Sequence, residues 1–106
     1  MTDVPSCDWP GKSGTTYRYS VYDLPPSFNK AAGNYIFAKR NSEGYWVPVY
    51  IGQTDDLSER FDDHHKATCI SRAGATHIHA HAKEDERERL EEEADILAKF
   101  STPCNG

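Results

Sequence analysis

A tyrosine precedes, and an arginine and a histidine follow, a glycine that ends an apolar run. Their spacing would allow all three side chains to meet. Tyr50 stands at the end of a β-branched segment typical of a strand, and Gly52 breaks that strand two residues later. The polar residues behind the glycine can cap a helix, which the pattern predicts over 56–66. Arg60 and His64 lie four residues apart on that helix, so both should face the strand end. A phenol, a guanidinium and an imidazole would then meet in one small volume.

A glutamate on the last predicted helix is the second candidate for chemistry. Residues 84–100 include no Gly or Pro and are rich in Glu, Ala, Leu and Arg, so they predict a helix. Its apolar residues recur at helical spacing: Leu90, Ala94, Ile96, Leu97 and Phe100. Glu93 falls inside that arc, where a carboxylate must be paired, protonated or bound to a metal. The spacing leaves open a metal ligand or an ion pair with Arg60 or Arg89.

Two short motifs with a shared pattern connect these residues to a known family. The motifs are Gly33-Asn34-Tyr35 and Tyr50-Ile51-Gly52, and in both the chain resembles the GIY-YIG nuclease superfamily. Arg60 follows the second motif at the position of that family's arginine. Glu93 and Asn105 fall at the positions of its helix glutamate and its closing asparagine. The five landmarks occur in order and cover most of the chain.

The resemblance implies an endonuclease that uses Mg²⁺ or Mn²⁺ to hydrolyse phosphodiester bonds in DNA or RNA, with DNA the favoured partner. Glu93 would hold the metal, since a hard cation prefers oxygen ligands and keeps several waters. Arg60 would steady the phosphate with its forked guanidinium. Tyr35 or Tyr50 would take a proton from the attacking water. The positions implied to support the site are Gly33, Gly52 and Asn105.

Three further positions belong to the predicted site. His64 stands where the family often has a histidine or a tyrosine, so it could carry a proton or contact phosphate. A helix C-terminus alone also favours histidine, and both interpretations stay open. Gln53 replaces a lysine found in many relatives, which weakens phosphate contact, and with Lys66 it is assigned to substrate binding.

The predicted fold is a small α+β domain in which helices pack on an antiparallel sheet. Residues 33–106 would form the nuclease-like domain, and residues 1–32 an extension with an added edge strand at 17–22. Three core strands are predicted, over 34–40, 45–51 and 76–82. Pro48 indicates that the second of them lies at an edge or carries a bulge. The Gly-, Pro- and Ser-rich residues 1–16 predict irregular structure.

Composition limits the class of protein. The chain has 106 residues with an apolar fraction of 37%, which fits one domain with a small core. No apolar run approaches the ~20 residues of a transmembrane helix, so no membrane partner is expected. The net charge of −5 argues against tight nonspecific binding of nucleic acid unless charge is segregated. The cations that could form a basic rim are Lys30, Lys39, Arg40, Lys66, Arg72 and Lys83.

The cysteines predict a redox state and a compartment. Cys7, Cys69 and Cys104 are an odd number without paired spacing, which indicates reduced thiols. Residues 1–8 lack the features of a signal peptide, and together these observations predict a cytoplasmic protein. A zinc site that combines Cys7 with distant histidines is the alternative.

Two other functions stay open. A catalytically weak binding or interaction module on the same fold is favoured by the acidic charge, by Gln53 and by the lack of a separate recognition domain. Specificity would then come from a protein partner or a second copy of the chain. A zinc- or nickel-binding protein could use His77, His79 and His81, which share one face of the third core strand. Such a row is more commonly the wetter face of a sheet.

Overall fold

Five antiparallel strands form a single sheet. The computed structural model describes residues 4–24, 26–59 and 64–105. The strands are β1 (Ser6–Pro10), β2 (Thr16–Asp23), β3 (Gly33–Arg40), β4 (Trp46–Thr54) and β5 (His77–Ala82), and the helices are α1 (Ala67–Arg72) and α2 (Glu86–Lys99). Their order across the sheet is β1-β2-β5-β3-β4. The α+β class with an antiparallel sheet is therefore confirmed.

The N-terminal residues are part of the sheet. The strand predicted at 17–22 is β2, but it lies between β1 and β5 and not at an edge. The edge strand β1 forms where irregular structure was predicted, because Trp9 is only 3% exposed and β1 pairs with β2 along its whole length. The sheet therefore has five strands, and the prediction of three core strands was wrong.

The hairpin of β3 and β4 contains the irregularity that Pro48 predicted. Phe37 is opposite Tyr50 and Ala38 is opposite Pro48, so Val49 is an extra residue on β4. β4 is also the last strand of the sheet, where a missing N–H group is tolerated. Both predictions, an edge position and a bulge, are confirmed.

Helix α2 confirms the helix predicted at 84–100, but its buried face differs from the predicted one. Arg89, Glu92 and Ile96 are buried, whereas Leu90 is 44% exposed. The buried polar groups have hydrogen-bond partners on the sheet, which offsets the cost of removing them from water. Within the described residues, neither helix is long and apolar enough to cross a membrane.

Within the range 56–66, where a helix was predicted, the described residues are not helical. Residues 57–58 and 65–66 form turns, and Asp56 accepts hydrogen bonds from the N–H and the hydroxyl of Ser58. Residues 60–63, which include Arg60, lie outside the described residues. Helix α1 begins only at Ala67 and buries Ile70 in the core.

A disulfide joins Cys69 of α1 to Cys104 near the C-terminus, which corrects the prediction of three reduced thiols. The two residues are 35 positions apart, so no local spacing indicated the pair. Cys7 is a free cysteine. Since disulfides persist mainly in oxidising compartments, the cysteines no longer support a cytoplasmic location.

The three histidines of β5 have separate environments and do not form a wet face. His79 is completely buried, and its Nδ1 accepts a hydrogen bond of 2.9 Å from the indole of Trp9. His77 contacts Asp23, and His81 contacts the buried Glu92. No group of three or more metal-ligating side chains that could hold a metal ion occurs in the described part of the chain.

The free energy of unfolding should fall as the pH is lowered from about 6.5 to about 4. Burial, followed by the charges of His77 and Arg40, lowers the pKa of His79 to about 4. Its pKa in the unfolded chain is about 6.5. Above that pH the ring is neutral in both states and stability is highest; below it only the unfolded chain takes up the proton. A tenfold difference in proton affinity corresponds to about 1.4 kcal/mol, so the expected loss is about 3 kcal/mol.

Urea unfolding at pH 7 and at pH 4.5 measures this loss. The variant His79→Gln should show a flatter pH dependence, whereas His65→Gln, which removes an exposed histidine, should keep the wild-type slope. An unchanged slope in His79→Gln would contradict the assignment.

Candidate active site

Tyr35 and Tyr50, the tyrosines of the two motifs, lie side by side on adjacent strands. Their ring centroids are 6.1 Å apart, and Tyr35 is paired across the strands with Gly52. A Cβ atom at Gly52 would lie 2.8 Å from the hydroxyl of Tyr35 and 2.9 Å from the ring of Tyr50. Only glycine therefore leaves room for both phenols at this position.

Neighbouring residues also lie very close to the backbone of Gly33, the glycine of the first motif. A Cβ atom there would lie 2.6 Å from the carbonyl oxygen of His81 and 2.8 Å from a methyl group of Leu57. Leu57 is held against this point by a 2.7 Å hydrogen bond from its N–H to the carbonyl of Ala31. Gly33 thus allows the segment after β4 to pack against β3 and β5 beside the tyrosines.

His64 is hydrogen-bonded to the Tyr35 hydroxyl and packs against the ring of Tyr50. The backbone N–H of Lys66 donates to His64 Nδ1 over 3.0 Å, so the proton of the neutral ring is on Nε2. Nε2 then donates to the hydroxyl of Tyr35 over 2.7 Å. The centre of the Tyr50 ring lies 5.0 Å from that of His64 and 6.1 Å from that of Tyr35. Burial, with the charges of His65 and Lys66, lowers the pKa of His64, which favours the neutral ring.

The two phenols have different environments. Burial, the neighbouring Tyr50 and the charge of Glu93 raise the pKa of Tyr35 well above its usual range. Burial and the charge of Glu93 also raise the pKa of Tyr50, but the hydrogen bond from Tyr35 opposes that change. Tyr50 is therefore the phenol that loses its proton more readily.

Glu93 is half-buried on α2, and its charge acts on both phenols. Burial raises the pKa of its carboxyl group. Among the described residues no cation pairs with this carboxylate. Arg60, one of the two partners considered for an ion pair, lies outside the described residues.

Arg89, the other partner considered, is bound elsewhere. Its guanidinium donates to the side-chain oxygen of Gln53 over 3.0 Å, and also to the carbonyl oxygens of Lys83 and Glu84. The buried Asn34 donates its amide N–H to the carbonyl of Arg89 over 2.9 Å. Gln53 and Asn34 therefore tie β4 and β3 to the turn of α2 that precedes Glu93.

Asn34 and Arg89 are positioning residues that the sequence analysis did not assign to the site. One signal was available, because Asn34 stands between the glycine and the tyrosine of the first motif. A second signal was the spacing of Arg89, Glu92 and Ile96, which is itself helical and marks the buried face. This pattern was missed because Arg89 and Glu92 are charged, and charged residues are rarely assigned to a core.

Asn105 binds the backbone of β4 with both atoms of its amide. The N–H of Ile51 donates to Asn105 Oδ1, and Asn105 Nδ2 donates to the carbonyl of Ile51, each over 2.8 Å. The N–H of Cys104 donates to the carbonyl of Val49 over 3.2 Å. The C-terminal segment is thus attached to β4 on both sides of Tyr50.

Several cations of the expected basic rim have protein partners. Lys39 donates to the carbonyl of Ala73 over 2.7 Å, and Lys83 lies 3.3 Å from Glu88. Lys66 is half-buried beside His64. Of the predicted site residues, the structure brings Tyr35, Tyr50, His64 and Gly52 into contact. Asn105 binds the residue next to Tyr50, and the charge of Glu93 acts on both phenols.

Comparison of the chain with protein-family models, with curated proteins and with solved structures finds no match. The resemblance to the GIY-YIG superfamily therefore rests on the sequence motifs alone.

Proposed function

We propose that this protein hydrolyses phosphodiester bonds in nucleic acid, and that Tyr50 takes the proton of the attacking water. The cluster in which His64 donates to the Tyr35 hydroxyl and both rings pack against Tyr50 carries this proposal. Interaction with the Tyr35 hydroxyl lowers the pKa of Tyr50 and raises that of Tyr35, so it favours a phenolate on Tyr50 over one on Tyr35.

Glu93 supports the expectation of Mg²⁺ or Mn²⁺ at this site. These ions take oxygen ligands and keep several waters, so one carboxylate can suffice as the protein ligand. A half-buried carboxylate without a cation partner among the described residues, beside two phenols, fits that donor set. When bound, the metal would neutralise charge on the phosphate and the leaving oxygen.

The charge of Glu93 links metal binding to the basicity of Tyr50. That charge is one of the causes that raise the pKa of Tyr50, so its neutralisation lowers the pKa again. A cation held by Glu93 would therefore make it easier for Tyr50 to lose its own proton, which it must do before it can accept one from water. Arg60 would steady the phosphate, and DNA is the favoured substrate, as the resemblance to the GIY-YIG superfamily implies.

A catalytically weak binding module is the second candidate. The oxygen of Gln53 is bound by Arg89, and Lys39 and Lys83 also have protein partners, so these three groups offer little to a phosphate. The net charge of −5 favours the same alternative. Titration with Mn²⁺ separates the two, since the binding module predicts no site at Glu93.

Nicking of supercoiled plasmid DNA in the presence of Mg²⁺ tests the proposal, with Tyr50→Phe as the key variant. Loss of the general base should reduce the nicking rate by about 10²- to 10⁴-fold. Tyr45→Phe is the matched control, because Tyr45 is 68% exposed and lies before β4; it should cut at the wild-type rate. Equal rates for both variants, or no nicking by the wild-type chain, would overturn the proposal.

A further inference from the structure

A cavity lies at the other end of the hairpin from the tyrosines. Its volume is about 230 Å³. Its lining residues are Pro5, Ser6, Val21, Asp23, Arg40, Trp46 and His77. It is separate from the candidate active site, because Arg40 ends the strand that carries Tyr35 near its start.

The cation in this cavity lies over an aromatic ring. The guanidinium carbon of Arg40 lies 4.0 Å from the centre of the Trp46 ring, and one of its N–H groups donates to the carbonyl of Gly44 over 2.8 Å. Arg40 is exposed, so its guanidinium can be reached from solvent. Guanidinium planes of this kind stack with nucleobases, and their N–H groups bind phosphate.

The opposite wall contains a hydrogen-bond acceptor. The side chain of Asp23 is 93% exposed, and its Oδ1 lies 3.1 Å from His77 Nε2. The ring of His77 in turn lies 4.9 Å from that of Trp46. Because the carboxylate of Asp23 lines the same cavity as Arg40, it repels negative charge and disfavours a bare anion. The lining instead suits a ligand that combines an anionic group, a flat ring and N–H donors.

The N-terminal strands create this cavity. Pro5, Ser6, Val21 and Asp23 come from β1, β2 and the residue before β1, and they face the ends of β3 and β4. Without β1 and β2, the surface of Arg40 and Trp46 would have no opposite wall. The extension thus adds a cavity in addition to two strands.

We propose that this cavity binds one nucleotide with an amino-bearing base. The base stacks on the guanidinium of Arg40, the remaining N–H groups of Arg40 bind the phosphate, and Asp23 accepts a hydrogen bond from the amino group. The site does not depend on phosphodiester cleavage. Its ligand is either a free nucleoside monophosphate or an unpaired nucleotide of a single strand.

Tryptophan fluorescence of the full chain, without divalent metal, measures this binding. Trp46 lines the cavity and Trp9 is buried elsewhere, so a ligand in the cavity should change the signal of Trp46. AMP should give a saturable change, whereas UMP, which lacks the amino group, and inorganic phosphate should bind at least about tenfold more weakly. A single-stranded oligonucleotide that competes with AMP identifies a strand as the source; no competition identifies the free nucleotide.

Arg40→Gln should weaken AMP binding by about tenfold or more, and Arg72→Gln, which removes an exposed arginine of α1, should not. Asp23→Asn alters an exposed side chain and should reduce the preference for AMP over UMP. Thermal unfolding confirms that each variant is folded. The proposal fails if the wild-type chain shows no saturable response to millimolar AMP, if phosphate alone binds as well as AMP, or if the two arginine variants bind equally.

Discussion

Replacement of Glu93 by glutamine is expected to reduce Mg²⁺-dependent nicking by about 10³-fold, the usual scale for the loss of a preorganised electrostatic contact at a reacting phosphate. The amide keeps the size of the side chain but removes the negative charge that would hold the cation. The same change should lower the pKa of Tyr50, because the charge of Glu93 is one of the causes that raise it. A slower nicking rate together with a lower pKa of Tyr50 would show that Glu93 acts through its charge and not only through packing.

Glu91 provides the matched control on the same helix. It is exposed and pairs with Arg87 over 3.2 Å on the outer face of α2. Glu91→Gln should therefore nick DNA at the wild-type rate and bind Mn²⁺ as the wild-type chain does. Isothermal titration with Mn²⁺ gives a readout that does not depend on cleavage. Similar rates and similar Mn²⁺ affinities in the two variants would remove Glu93 from the site.

Reduction of the Cys69–Cys104 disulfide should lower the free energy of unfolding by about 3–4 kcal/mol. The bond closes a loop with a sequence separation of 35 residues, and it stabilises the fold mainly by restricting the unfolded chain. Urea unfolding with and without dithiothreitol measures the difference. Cys69→Ser should show the same loss without reductant and no further loss with it.

Cys7→Ser serves as the control, because Cys7 is free and half-buried on β1. It should retain the full response to reductant. If the wild-type chain unfolds at the same urea concentration in both conditions, the bond does not contribute to stability in solution. The effect on nicking should accompany the effect on stability, since α1 follows the segment of His64 and Cys104 binds β4 next to Tyr50.

Much of the fold could be predicted because the signals were local. Residues 86–99 have the composition of a helix and form α2, and Pro48 marked both the edge and the bulge of β4. β1 could not be predicted in the same way, because its five residues become a strand through pairing with β2 and burial of Trp9. Strand preference depends strongly on such neighbours.

The buried face of α2 shows a different limit of sequence patterns. Apolar spacing favoured Leu90, yet Arg89 and Glu92 are buried in its place. Their partners are Gln53 for Arg89 and Tyr19 for Glu92, whose hydroxyl donates to the carboxylate over 2.6 Å. Those partners come from distant strands, so periodicity along one helix could not reveal them.

The proximity of the two motif tyrosines could be predicted, but the hydrogen bonds around them could not. The two motifs identified Tyr35 and Tyr50, whereas the direction of the hydrogen bonds depends on the backbone N–H of Lys66, which fixes the tautomer of His64. Backbone donors carry no sequence signature. The proposal that Tyr50 is the base therefore draws on contacts that no sequence pattern indicates.

The contact of Asn105 with Ile51 also determines how the protein can associate with other chains. An unpaired strand at the margin of a sheet invites a strand from a second molecule. Here the side-chain amide of Asn105 occupies the donor and the acceptor of Ile51 that such a strand would need. Sheet extension from one copy to the next is thus blocked at β4, and a chain that ends before Cys104 would expose that margin to self-assembly.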